Sequence, residues 1–327
     1  MYKKQKAPKT QQGFALLTVM LVVALVSMVS SQLLYDQQVH IQRSTFMIHQ
    51  AHSISVAYGF EDWVKKGLMA DAKNNATDHL NEQWAQPLAP IPFADGEVSG
   101  RLQDLQARLN VNNVLEKDSK IRIFWKKMVD RYLAIQLPEE NFVGFSDVLQ
   151  DWVDADDDTQ DYGAESQVYL LNQPAYRAAN EPMVMPSEIS RLQGMERLNQ
   201  KDLLRIESDL TALPEVTAIN VNTADATTLM AMADWLTEDV AKQWIEQRKA
   251  QPAEDINQFL AFLVSITGFT LEEISKDIPS QVLDVKSHYF LLEARVDYGD
   301  VKQIVTSIFN RKSENEVILV QRWLSVG

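Results

Sequence analysis

The chain has 327 residues, 31 Lys and Arg against 45 Asp and Glu, a net charge of −14 and no cysteine. So acidic a chain repels nucleic acid and anionic lipid heads and suits cations, calcium among them. The missing cysteines exclude a disulfide framework and a thiolate metal site, while the length admits a membrane helix plus two domains that bury cores.

The leader carries Lys3, Lys4, Lys6 and Lys9 and no acid, and no charge appears from Thr10 to Tyr35. Taking the leader's +4 from −14 leaves −18 for residues 36–327. At about 1.5 Å per residue, the apolar run Gly13 to Tyr35 suffices to cross a hydrocarbon core about 30 Å thick. The leader lysines put the N-terminus in the cytoplasm and the body across the membrane. A secretory signal would be cut on the far side, where Ser27, Ser30 and Ser31 are small enough. On the near side, Gln11-Gln12-Gly13 runs into Phe14 with no gap, which resembles the type IV prepilin class. That resemblance implies cleavage after Gly13 by the prepilin peptidase and an N-methylated Phe14 as the mature terminus. Thr18 stands where most of that class carry a glutamate that neutralises a neighbouring subunit's amine. Its absence also removes an expensive carboxylate from the membrane.

Beyond Tyr35 the pattern stays helical to about Lys66, with Val56, Phe60, Trp63 and Val64 on one face and Gly67 as the expected stop. Residues 71–95, interrupted by Pro87, Pro90 and Pro92, read as a connector. Gly96 to Leu115 alternates enough for a strand pair, with Asn110, Asn112 and Asn113 as turn residues. From Asp118 to Pro279 strand alternation gives way to helix starts at Ser119, Asp225, Thr237 and Thr270. Tyr289–Tyr298, Val301–Phe309 and Val317–Leu324 then form an antiparallel meander turned at Gly299-Asp300, half buried on the long helix. Strands on both sides of a helical stretch imply a helical domain inserted into a sheet domain, leaving and returning at neighbouring points.

The sharpest local signal is the run from Asp151 to Glu165, with seven carboxylates that repel one another unless solvated or sharing a cation. Calcium takes six to eight oxygens, and carboxylates at alternate positions followed by Gly163 and Glu165 can supply them. The candidate ligands are Asp154, Asp156, Asp158, Asp161 and Glu165, with Asp151 nearer the preceding helix. A solvated acidic loop is the alternative. No second group is positioned for acid–base catalysis, and no phosphate-loop, nucleophile-elbow or zinc-helix motif occurs.

Around this loop a resemblance becomes specific. Gln103 to Asn113, the Asp-Trp-x-Asp-x-Asp cluster, Gly163-Ala164-Glu165, Tyr176 to Met183, Ser187-Glu188, Gly194-Met195 and Asn220 to Ala224 are similar, in that order, to the type II secretion protein K family of minor pseudopilins. The resemblance implies an α+β fold, with a pilin-like long N-terminal helix packed on an antiparallel sheet and a large inserted all-α domain. Its parts would be a leader (1–13), a membrane and filament-core helix (14–35), a first pilin-like portion (36–117), the insert (118–280) and the last strands (281–327). It also implies calcium at the acidic loop, and Thr18 agrees with the family. Ser166, where an acid commonly follows, does not, and is left out of the ligand set. The implied function is non-enzymatic: a single-pass inner-membrane protein with a periplasmic body, capping the pseudopilus tip and helping start its assembly for export across the outer membrane. The implied partners are other minor pseudopilins, the major pseudopilin and the prepilin peptidase.

A rival reading comes from Ile219 to Asp225, which also resembles the entry to the helix-hairpin-helix modules of membrane-anchored DNA-uptake receptors. Those modules offer phosphate a Gly-x-Gly turn, whereas Met232 to Thr237 has no glycine and adds Asp234, so nucleic acid is not expected as a partner. His49 and His52 read as surface residues, and Trp125, Trp152, Trp235, Trp244 and Trp323 as core or interface.

Overall fold

The computed structural model describes residues 11–94, 96–140 and 142–326, with backbone alone for 11–13 and 326. The leader lysines lie outside the described residues. Helix α1 spans Gln11–Asn74, 64 residues and therefore about 96 Å. Its apolar half is exposed all round from Phe14 to Gln38, and Thr18 turns its hydroxyl onto the Ala15 carbonyl at 2.9 Å. Burial begins at Ser53 and recurs at Ala57, Phe60, Glu61, Val64 and Leu68, the three- and four-residue steps of a helix face. Gly67 does not end the helix: it lies on the open side with no atom near a Cβ position, while buried Leu68 carries the stripe onward.

That stripe packs on a five-stranded antiparallel sheet whose strands lie in the order β1 (Leu88–Phe93), β2 (Gly96–Asp104), β7 (Tyr289–Tyr298), β8 (Val301–Ser313) and β9 (Glu316–Val326). The meander strands are β7 (Tyr289–Tyr298), β8 (Val301–Ser313) and β9 (Glu316–Val326), and alternate residues Phe290, Leu292, Ala294 and Val296 face α1. Glu61 is buried in this interface, where it accepts from the Ser307 hydroxyl and pairs with Arg322. A carboxylate taken from water needs such partners, so this pair sets the register of helix on sheet. The connector contains a strand, β1 (Leu88–Phe93); its prolines are tolerated because it lies at the sheet edge, and its register slips between Leu88 and Ile91. Strand β2 (Gly96–Asp104) pairs with β1 and β7, so the expected pairing within Gly96 to Leu115 does not form.

The chain leaves the sheet at Asp104 and returns at β7, where Asp104 and Phe290 are register partners. Between them lie α2 (Ser119–Gln136), α3 (Phe145–Val153), α4 (Ser166–Tyr169), α5 (Gln200–Asp209), α6 (Ala226–Ala231), α7 (Glu238–Ala250), α8 (Ile256–Thr267) and α9 (Leu271–Asp277). Asp225, Thr237 and Thr270 each accept a backbone N–H as N-caps, as their positions in the sequence predict, while α2 is capped by Asp118, one residue before the expected Ser119. Two short parallel bridges qualify the all-α expectation: β3 (Leu109–Asn110) with β4 (Leu210–Thr211), and β5 (Ile219–Asn220) with β6 (Leu283–Asp284). Asn110, Asn112 and Asn113 are buried rather than exposed turn residues; their amides reach the carbonyls of Glu215, Met183, Leu213 and Thr217 at 2.8–2.9 Å. Buried amides must be satisfied in this way, and these tie distant loops together. The helical body meets α1 at the end opposite its apolar half, where Asp78 donates to the Val285 carbonyl and accepts from the Asn220 amide.

Candidate functional site

The acidic loop is built on α3. Gly144 adopts φ +74 as its N-cap, and a Cβ there would lie 2.5 Å from the Tyr162 ring, so only glycine lets the loop close over the helix start. Asp147 and Asp151 are one turn apart on the covered face. Asp147 pairs with Lys126 of α2 at 2.5 Å and accepts from Tyr162 N–H at 3.1 Å. Asp151, fully buried, accepts from Gln160 N–H at 3.2 Å. Gly163 passes so close that an added Cβ would sit 1.8 Å from Asp151 Oδ2. Loss of water pushes the Asp151 carboxyl up to about 6, reinforced by the charges of Asp154 and Asp147.

Asp154, Asp156 and Glu165 come together, one oxygen from each within 4.8 Å of the others. Glu165 is 3% exposed, yet neither carboxylate oxygen has a hydrogen-bond partner, and Asp154 Oδ1 is likewise buried and unpartnered. Burial raises Glu165 to about 7, with Asp151 and Asp154 adding repulsion. Asp158 and Asp161 stand outside this group. The loop turns at Asp156, whose Oδ1 accepts from Asp158 N–H at 3.0 Å, so alternate side chains do not converge as an extended segment would have them.

One participant carries no charge. Asn180 has φ +48, its amide donates to the Asp156 carbonyl at 3.1 Å and to Asp157 Oδ1 at 3.2 Å, and its Oδ1 is buried without a partner. It is held by Trp152, whose carbonyl accepts Asn180 N–H at 3.0 Å and whose ring stacks edge-on with Tyr169 and Tyr176. Asn180 falls in the Tyr176 to Met183 stretch, whose residue types do not by themselves signal a ligand. All-oxygen donors with buried, unpartnered lone pairs are the kind of set that hard cations take.

Two other features bear on function. Within Phe14–Asn74, α1 holds an 18-residue window with a mean hydropathy of 2.4, and the helix is long and apolar enough to cross a membrane. At the turn between α6 and α7, Asp234 pairs with Arg131 at 2.6 Å, and the N–H groups of Leu236 and Thr237 are taken by Ala233 and Trp235 carbonyls. This turn therefore presents a carboxylate where a phosphate-binding hairpin presents free amides.

Two family models, each described as type II secretion system (T2SS), protein K, match residues 107–215 and 219–278. Among curated proteins, the type II secretion system protein K of Pseudomonas aeruginosa is 32% identical and covers 97% of this chain and 94% of its own length. That of Aeromonas hydrophila is 27% identical over 96% and 97%. Among solved structures, the GspK-GspI-GspJ complex from the enterotoxigenic Escherichia coli type 2 secretion system contains a chain of the same fold. It superposes with a TM-score of 0.74 at 22% identity, covering 87% of this chain and 99% of that one. With both halves of the helical body matched to its models and a relative aligned almost end to end, this chain belongs to the type II secretion system protein K family and is a minor pseudopilin.

Proposed function

We propose that this chain caps the tip of the periplasmic pseudopilus and helps start its assembly for protein export across the outer membrane. The observation that carries this reading is the bulk of the helical body at the end of α1 opposite its bare apolar half. Pilin-like subunits stack by their apolar helices, so a body in that place obstructs any subunit above while leaving the lower face of α1 free. Thr18 supports the same reading: a tip subunit has no subunit above whose amine would need a carboxylate, and its hydroxyl is used within its own helix.

Before assembly the apolar half anchors the chain in the inner membrane, N-terminus cytoplasmic and body periplasmic. The prepilin peptidase cuts after Gly13 and methylates Phe14. The partners are two other minor pseudopilins in a tip complex, for which the fold shared with the chain in the GspK-GspI-GspJ complex is the support, and the major pseudopilin below. Calcium sits in the acidic loop on Asp154, Asp156 and Glu165, with Asp158 and Asp161 as outer members of the set; the support is the pair of buried, unpartnered Glu165 oxygens. The ion supplies the positive charge that lets these carboxylates stay ionised at close range.

Mass spectrometry of the chain made together with prepilin peptidase tests the processing: the expected mature protein begins with methylated Phe14, and a retained leader overturns the reading. Counting copies in isolated pseudopili by quantitative mass spectrometry tests the cap, with one copy per filament expected and a repeating stoichiometry against it. DNA binding that survives ~0.2 M salt, where phosphate-only contacts weaken steeply, would favour an uptake receptor instead.

A further inference from the structure

A second group of carboxylates lies far from the acidic loop, at the neck where α1 meets the helical body. Asp71 is in the last turn of α1, Asp78 and Glu82 follow in the chain that leaves it, and one oxygen from each lies within 4.8 Å of the others. Asp78 is 1% exposed and Glu82 8%. Two basic side chains face them: Arg311 of β8, which donates to Asp71 Oδ2 at 2.9 Å and to Asp78 Oδ2, and His79, whose Nε2 lies 3.9 Å from Glu82 Oε1. Most of the remaining oxygens have neutral donors: Asp71 Oδ1 takes the Asn75 amide at 2.8 Å, and Glu82 Oε2 takes His79 N–H at 3.1 Å and Trp84 Nε1–H at 2.6 Å. Asp78 Oδ2 also accepts Ser287 N–H at 2.8 Å, which leaves Asp78 Oδ1 buried with no partner at all.

Three carboxylates face one guanidinium, so holding all three ionised calls for further positive charge of the size that a divalent cation carries. A buried carboxylate oxygen without a donor is unfavourable in any fold, and here it stands beside two further carboxylates. We propose that Asp71, Asp78 and Glu82 form a second site for a hard divalent cation, calcium, with Asp78 Oδ1 as its inner ligand. Calcium completes a shell of six to eight oxygens with water where protein donors run out. A cavity of about 480 Å³, lined in part by Asp71, Asn75 and Glu82 and otherwise largely by apolar side chains such as Val64, Leu68 and Trp84, gives water access to Asp71 and Glu82. The donors are oxygen, which suits calcium better than zinc or copper. The ion would join the end of α1 to the segment after it, and through Asp78, Ser287 and Asn220 to the β5–β6 bridge under the helical body.

The test is calcium titration calorimetry on the full chain in detergent after chelator treatment. An Asp154→Asn, Glu165→Gln double variant disables the acidic loop, and one class of calcium binding is expected to remain. Adding Glu82→Gln, or separately Asp71→Asn, is expected to weaken that residual binding at least tenfold. Both changes keep the shape of the side chain, and Asp71 is only half-buried, so the second guards against a folding failure in the first. In the wild-type background, Glu82→Gln lowers the number of bound ions by one and leaves the loop occupied, which separates this site from the loop reading. Trp84 reports independently: its fluorescence changes with calcium in the loop-disabled chain, and the change is absent in Trp84→Phe. A loop-disabled chain that folds and binds no calcium overturns the proposal, as does residual binding that neither neck variant alters.

Discussion

In the acidic loop, Asp154, Asp156 and Glu165 come from one short segment and, among the described residues, none of them has a lysine or arginine in contact. At the neck, Asp71, Asp78 and Glu82 are enclosed by α1 and the sheet, and Arg311 arrives from β8 to bridge two of them. The same repulsion is met locally in one place and by long-range packing in the other. The proposed loop ion would therefore be held by one local segment, whereas the neck carboxylates and Arg311 hold each other inside the molecule. The sharpest way to break this contrast is Arg311→Met. It strands the Asp71 and Asp78 charges in a buried setting, and removal of one partner of such a pair typically destabilises by about 3–5 kcal/mol. Urea unfolding in chelator should show it as a lower midpoint with an unchanged slope. A loss below about 1 kcal/mol would mean that the neck charges are already relieved by water or protons.

The loop should respond to the solution more than to a neighbouring side chain. Calcium at a hundred times its dissociation constant stabilises a folded state by about 2.7 kcal/mol through mass action alone. The melting temperature should therefore rise on adding calcium and fall with chelator, and Glu165→Gln should shrink the difference. Equal melting with and without calcium in the wild-type chain would identify a solvated loop. Gly163→Ala sharpens the same side of the comparison without touching a ligand. Its Cβ would be driven into Asp151 Oδ2, so a cost of about 1–3 kcal/mol, typical of overpacking, is expected in chelator as well as in calcium.

The two clusters also differ in how readily residue order discloses them. Asp154, Asp156 and Glu165 stand close together in the chain, so their repulsion is visible before any fold is known. Arg311 and Asp71 are separated by most of the chain, and no periodicity links them; only the packing of β8 against α1 does. The same rule divides the fold. Strands β7 to β9 and helix α2 are legible because alternation and helical spacing are local, and the N-caps because capping acts over three residues. Strand β1 was hidden by prolines that an edge tolerates, and the end of α1 by a glycine on its open face. The bridges β3–β4 and β5–β6 are two residues long and join segments far apart, so neither has a pattern to read. Asn180 is the loop's counterpart: its role depends on Trp152 holding it over Asp156, which composition does not reveal.

The smallest effect tests whether the neck region is as dry as its hydrogen bonds imply. Asp104 is buried at the exit of β2, accepting from Gln106 N–H at 2.8 Å, Thr223 Oγ1 at 2.5 Å, Ser287 Oγ at 2.6 Å and the Asn220 amide at 3.2 Å. Those donors favour the ion, but loss of water outweighs them and pushes the carboxyl up to about 6 from its ordinary 3.8. A carboxyl raised in the folded state binds its proton more tightly there than in the unfolded chain. Its contribution to stability is thus fully present below about pH 4 and is lost as the pH rises through about 6. In chelator, acidification from neutral toward about pH 5 should then stabilise the chain, with Asp104 supplying about 1 kcal/mol per pH unit at most, because it exchanges a single proton. Glu82, Asp151 and Glu165 shift in the same direction, so the wild-type slope alone does not isolate Asp104. The difference between wild type and Asp104→Asn does, since the amide cannot titrate. A smaller slope in the variant places the dry carboxyl at Asp104, whereas identical slopes would mean that water reaches it.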